Sequence, residues 1–209
     1  MLSLVVKGAE VTSPPIAGPA SDTRTRILEA TAAVLTRLPL SKVTMDDVAR
    51  AAGVARQTIY KYSAGRDDLV VALLVDETNR THRTALEGLH AEGRSPEQLT
   101  KMILEQLRLA AGWVLLDRTF DPGLAPRMVE LVLRSEALGR CVAELWIPIL
   151  ADYRADGILR QELDLDQTVR WLTYQYVWLL SHPDALADDA DTLEHYIHTY
   201  LTGALVRRP

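Results

Sequence analysis

Between Ala55 and Ser63 the chain reads Arg56-Gln57-Thr58-Ile59-Tyr60-Lys61-Tyr62, and every side chain but Ile59 ends in a polar group. The cationic tips of Arg56 and Lys61 suit a polyanion. Gln57 can bond both N6 and N7 of an adenine. The hydroxyls of Thr58, Tyr60 and Tyr62 can donate to phosphate oxygens. This is a surface for gripping and reading a nucleic acid. Other chemistries find no comparable set of residues. There is no glycine-rich phosphate loop, no Gly-x-Ser-x-Gly elbow and no paired-cysteine motif. Asp191, His195 and His198 have a spacing a metal could use, but a partly exposed helix face is the favoured reading. Cys141 follows Arg140 within a helical stretch and reads as a buried, inert thiol. No catalytic residue, metal or cofactor is expected, and an enzyme is disfavoured.

Two short helices and a turn must position those side chains. Thr44 is a good helix N-cap, with Asp46 and Asp47 in the first turn where the helix dipole favours acids. Val48, Ala49 and Ala52 form a small apolar face that lets a second helix cross closely. Gly53 stands at the sharp turn, where a positive φ is expected. Val43–Ala52 and Val54–Tyr62 then form a helix-turn-helix, with Val54 and Ile59 turned inward. Such a motif lays its second helix in the major groove of DNA. Ahead of it, Ile27, Leu28, Thr31, Val34, Leu35 and Leu38 recur at helical steps until Pro39 intervenes. A helical hairpin serving protein contacts would explain the glycine and the apolar spacing, but not the polar run after Ala55.

A first helix, a Thr44 cap, Val48-Ala49-x-Ala51-Ala52-Gly53-Val54, Thr58-Ile59-Tyr60-x-Tyr62 and then Arg66-Asp67-Asp68-Leu69 follow one another in order. In order and spacing this segment resembles the tetracycline-repressor (TetR-type) family from Thr23 to Leu74. The resemblance implies a dimeric, ligand-responsive transcriptional regulator. It assigns phosphate contacts to Thr44, Tyr60, Tyr62 and Arg66, and bases or the adjoining backbone to Arg56, Gln57, Thr58 and Lys61. Three positions depart from the family pattern. Ala55 stands where Ser or Thr usually caps the recognition helix, at a cost of about 1 kcal/mol. Gln57 replaces a common glycine and becomes a candidate base reader. Ser63 replaces a Phe that usually packs under the turn.

Helical patterning continues to the end, with a long helix expected from Arg66. Others are expected at about 95–118, 123–135, 137–156, 166–181 and 189–206, and no sheet. The fold expectation is all-α: a three-helix helix-turn-helix domain and a larger helical ligand-binding and dimerisation domain. The boundaries read as a flexible N-terminal arm over 1–20, a DNA-binding domain over 21–66 and a body over 67–209. Trp171, Tyr174, Gln175 and Trp178 share one face of one helix, and Met102 and Trp113 could face them. That set is a candidate pocket for a flat or apolar effector, with plain core or dimer packing as the equal alternative. Apolar faces on the last two helices fit a four-helix interface with a second copy, hence a near-palindromic operator. A module that binds DNA or protein with a filled core and no effector is the competing reading.

Composition agrees. Of 209 residues, 48% are hydrophobic and 24% charged, ordinary for a globular chain. The net charge of −5 is unevenly spread: residues 22–70 carry +2 and residues 71–209 carry −7. A basic head on an acidic body presents one end to DNA. No run reaches the ~18 apolar residues of a membrane span. A single cysteine points to a reducing cytoplasm.

Overall fold

The structure, a computed structural model, describes residues 19–111, 125–182 and 190–207. Among these, regular structure is helical apart from one antiparallel bridge between Leu159 and Val206. The arm over 1–20 (all but its last two residues) and Trp113 lie outside the described residues. Helix α1, Pro19–Leu35, starts on a proline, whose fixed φ suits a first turn. It buries Ile27, Leu28, Val34 and Leu35, and the Thr31 hydroxyl donates to the Ile27 carbonyl at 2.7 Å. A short 3₁₀ turn, Leu40–Lys42, follows Pro39.

Helices α2, Met45–Ala52, and α3, Arg56–Tyr60, are both shorter than their expected spans. Thr44 and Ala55 occupy extended backbone as N-caps, and that trims each helix at its start. From Arg66 the chain stays helical to Ala91, as α4 (Arg66–Glu77), a π-helical turn (Thr78–His82) and α5 (Arg83–Ala91). Helices α6, Pro96–Ala111, α7, Ala125–Arg134, and α8, Glu136–Ala155, come next. Helix α9, Leu165–Ser181, is followed by α10, Ala190–Tyr196, which runs through a π-helical turn, Ile197–Thr202, into Gly203–Leu205. Ser135 and Asp164 cap α8 and α9 by accepting from Leu138 N at 3.2 Å and Gln167 N at 2.8 Å.

One contiguous hydrophobic cluster runs from Ile27 to Leu205. Helix α1 packs on α2 and α4, α4 reaches α7 and α8, and α8 pairs with α9. Val70, Leu73 and Leu74 of α4 belong to that cluster. A shift of α4 is therefore felt both at α1 beside the turn and at α8 in the body.

Candidate nucleic-acid interface

Helix α2 opens on a complete capping box. The Thr44 hydroxyl oxygen accepts from Asp47 N at 3.2 Å and donates its proton to Asp47 Oδ2 at 2.6 Å, while Thr44 N donates to the same carboxylate at 3.1 Å. These bonds from Thr44 hold the Asp47 carboxyl below its usual pKa. They also spend the hydroxyl proton, which a phosphate oxygen would need. A phosphate contact at Thr44 must displace Asp47.

At its other end, α2 closes on Gly53 with φ 64° and ψ 35°. A Cβ there would meet Arg26 Nη2 only at 3.5 Å, so the left-handed backbone, not crowding, calls for glycine. Val54 N bonds Ala49 O at 3.1 Å across this turn. Arg26 of α1 donates to Ala52 O at 2.7 Å, placing a cation at the negative end of the helix. Sequence reading passed over Arg26, since nothing local to α1 signals a partner 26 residues away.

Helix α3 has no side-chain cap: Ala55 offers none. Ile59, fully buried, anchors it, and Thr58 is half-buried. Arg56, Gln57, Tyr60, Lys61 and Tyr62 are exposed together on the outer side. Arg56 is also tied down. Its Nη1 lies 3.1 Å from Asp46 Oδ2, its Nη2 donates to the Tyr60 hydroxyl at 3.2 Å, and its guanidinium carbon sits 5.6 Å from the Tyr60 ring centre. The Tyr60 bond and the Asp46 charge push its pKa further up.

After α3 the chain is secured by polar groups rather than by an aromatic wedge. Ser63 is buried and donates to Gly65 O at 2.6 Å, and Ala64 N donates to Asp68 Oδ2 at 2.9 Å. This anchorage was not expected of a serine in that place. Arg66, expected at a phosphate, has protein partners in the free chain. Its Nη1 donates to Leu40 O at 2.9 Å and Ser41 O at 3.3 Å, and its Nε lies 3.6 Å from Asp67 Oδ1. It latches α4 to the 3₁₀ turn through the carbonyls of that turn's first two residues.

Among the described residues, the expected effector set is split between the core and the surface. Trp171, Tyr174, Gln175 and Trp178 do share one side of α9, but Tyr174 is 49% and Trp178 42% exposed. Met102 is fully buried, with the Tyr153 hydroxyl 3.9 Å from its sulfur. Helix phase explains the split: Leu172, Tyr176 and Leu179 take the inner side of α9, Trp171 packs partly buried against the core at its edge, and Tyr174 and Trp178 face outward. Trp178 stacks on His182 there, ring centres 5.2 Å apart. Among the described residues, the buried tryptophan and tyrosines are Trp146, whose indole N–H donates to Gln106 Oε1, and Tyr153 and Tyr176. The Tyr176 hydroxyl is buried with no hydrogen-bond partner, and burial drives its pKa well up. Its place two residues after Tyr174, thus on the opposite side, was the available sequence signal. Of the residues whose spacing suits a metal, His198 is taken up instead, its Nδ1 3.1 Å from the Thr100 hydroxyl.

Residues 27–73 match the family model of bacterial regulatory proteins, tetR family. The transcriptional repressor KstR of Rhodococcus jostii is 28% identical over 196 residues, 89% of this chain and 85% of its own length. The TetR family repressor AlkX of a Dietzia strain, implicated in n-alkane biodegradation, superposes with a TM-score of 0.64 at 20% identity, covering 87% of this chain and 94% of AlkX. RolR in complex with resorcinol gives 0.65 at 15% identity, covering 89% and 88%. With a capped α2, a left-handed glycine turn and an exposed polar α3 inside it, the matched segment is a helix-turn-helix of the kind found in bacterial regulatory proteins of the tetR family.

Proposed function

We propose that the protein is a repressor that holds a near-palindromic operator as a homodimer and releases it when a small apolar or aromatic molecule enters the helical body. The observation that carries this is the exposed outer side of α3, where Arg56, Gln57 and Lys61 stand beyond the Gly53 turn. Tyr60, Tyr62 and (once freed from Asp47) Thr44 supply phosphate contacts; Arg56, Gln57, Thr58 and Lys61 face the groove. Tyr174 and Trp178 on α9 and Tyr200 beside α10 are exposed on the last two long helical segments, which suits a second copy packing on them. Inside the body, the Tyr176 hydroxyl and the Trp146–Gln106 pair supply polar handles among apolar side chains. Residues 21–66 thus meet DNA and 67–209 meet effector and partner. An effector that binds better to one tilt of α4 shifts the spacing of the two α3 helices, since α4 touches both α1 and α8.

Selection of bound fragments from genomic DNA, with light scattering of the free protein, tests this. The expected results are fragments sharing an inverted repeat with half-sites one helical turn or a multiple apart, and a particle of twice the 23.2 kDa chain mass. A monomer bound to unpaired half-sites would overturn it. Titrating the bound fragment with small phenols and medium-chain fatty acids tests release. Unchanged DNA binding and unchanged melting with every one of them would favour the effector-free alternative.

A further inference from the structure

We propose that Arg56 reads a guanine in each operator half-site and that Asp46, on the neighbouring helix, aims it. The inference rests on the DNA-binding reading above and goes further by naming the base and a positioning residue that does not itself read it. Arg56 and Asp46 stand ten residues apart, one in the first turn of α3 and one in the first turn of α2. Their 3.1 Å ion pair crosses the helix-turn-helix, and the Tyr60 hydroxyl holds the other arm of the guanidinium at 3.2 Å. Both partners are exposed, so a pair of this kind adds little to folding stability. A carboxylate on the DNA side of α2 also repels phosphates. What it does provide is direction.

A guanidinium has five N–H donors. Asp46 and Tyr60 occupy one on each Nη, leaving one more on each and the Nε–H. That is still a two-pronged donor. In the major groove only guanine offers two neighbouring acceptors, N7 and O6; adenine pairs its N7 with a donor. A fork already held by Asp46 and by the face of Tyr60 loses fewer rotamers on docking, which sharpens the match. It also compensates for the missing cap at Ala55, because Asp46 ties the first turn of α3 to α2. Lys61, exposed on the same outer side, is a point charge on a flexible stem and serves as the contrast.

The test is selection from a random duplex pool, at one salt concentration, by the full-length wild type and by R56K, D46N, D46E and K61A. Wild type should fix a guanine in each half-site with a preference of about 5- to 150-fold over the other bases. R56K keeps the charge but loses the fork, and should bring that preference to within about 2-fold of none. D46N should lower it by about 3-fold or more without weakening binding to random duplex, since a negative charge is removed. D46E should restore part of it. K61A should weaken binding to every duplex, flatten the salt slope by about one unit and leave the guanine in place. A D46N pool with the full wild-type guanine preference overturns the role of Asp46, and an R56K pool that keeps it overturns that of Arg56. Wild type binding all duplexes alike sinks the proposal but not DNA binding; wild type binding none sinks both.

Discussion

The DNA-facing head and the helical body settle their buried polar groups by different means. In the head, partners are backbone carbonyls: Thr31 to Ile27 within α1, and, at turns and helix ends, Ser63 to Gly65, Arg26 to Ala52 and Arg66 to Leu40. The last three fix helix ends and turns, and they leave the reading face as the part free to change. In the body, local bonds of this kind occur too, as from Thr100 to Pro96 and Thr168 to Asp164, but polar groups also meet across long sequence separations. Thr100 bonds His198 and Thr202, 98 and 102 residues on, and Trp146 bonds Gln106. Among the described residues, the buried Tyr176 hydroxyl has no hydrogen-bond partner. The head is built to hold one shape. The body keeps an unpaired hydroxyl among apolar side chains, which suits the effector site proposed above.

The largest expected effect tests the rigidity of the head. Ile59 is fully buried and anchors a five-residue helix that has no cap. Ile59→Ala should cost about 2–5 kcal/mol of unfolding free energy in urea titrations. DNA affinity should fall further than Lys61→Ala lowers it. A loss under about 1 kcal/mol would mean that α3 is held mainly by its polar ties to α2.

The next effect probes the body by pH. Burial pushes the His82 imidazole down to about 4, against about 6.5 in the unfolded chain. The folded protein therefore refuses a proton that the unfolded chain binds. Stability on this account is full above about pH 6.5 and falls as pH drops towards 4, by up to about 3 kcal/mol. Replacing His82 by Gln should flatten the loss across that window relative to wild type. Parallel profiles for the two proteins would show that His82 is not the group responsible.

Smaller, and opposite in sign, is the effect expected at Tyr176. A buried hydroxyl without a partner costs roughly 1–3 kcal/mol, so Tyr176→Phe should stabilise the unliganded protein by about 1 kcal/mol or more. It should leave operator binding intact and weaken release by any effector that bonds this hydroxyl. Destabilisation on losing the hydroxyl would mean that it is already satisfied, and the contrast between head and body would weaken.

Legibility in the sequence divides along the same line. The helix-turn-helix could be read because its determinants are local: Thr44 and Asp47 are three residues apart, and Gly53 needs only its own φ. The all-α fold and most helix spans followed from apolar periodicity. Less could be read where a residue's partner is distant. Arg26 and Arg66 both bond carbonyls 26 residues away, which no periodicity announces. The α9 tryptophans share a face as their spacing predicts, yet spacing cannot say whether that face points in or out. Tertiary packing decides it, by seating Leu172, Tyr176 and Leu179 inside. Nor does apolar spacing reveal the π-helical turns at Thr78–His82 and Ile197–Thr202, which shift helix phase by a fraction of a turn.

The smallest expected effect concerns the position where this head departs from its own rule. Ala55 is the N-cap of α3 and leaves first-turn N–H groups without a side-chain acceptor. Its backbone already has the extended geometry a capping residue adopts, φ −68° and ψ 145°. A serine there needs no rearrangement, so Ala55→Ser should add about 0.5–1 kcal/mol of stability. If Asp46 and Arg56 already hold α3 in its bound shape, that gain should appear in unfolding but scarcely in DNA affinity. If instead α3 is frayed before binding, affinity should rise by a similar amount, since part of the ordering cost is met in advance. Measuring unfolding and operator affinity of the same variant separates a cross-helix tie from a missing cap as the control on the reading helix.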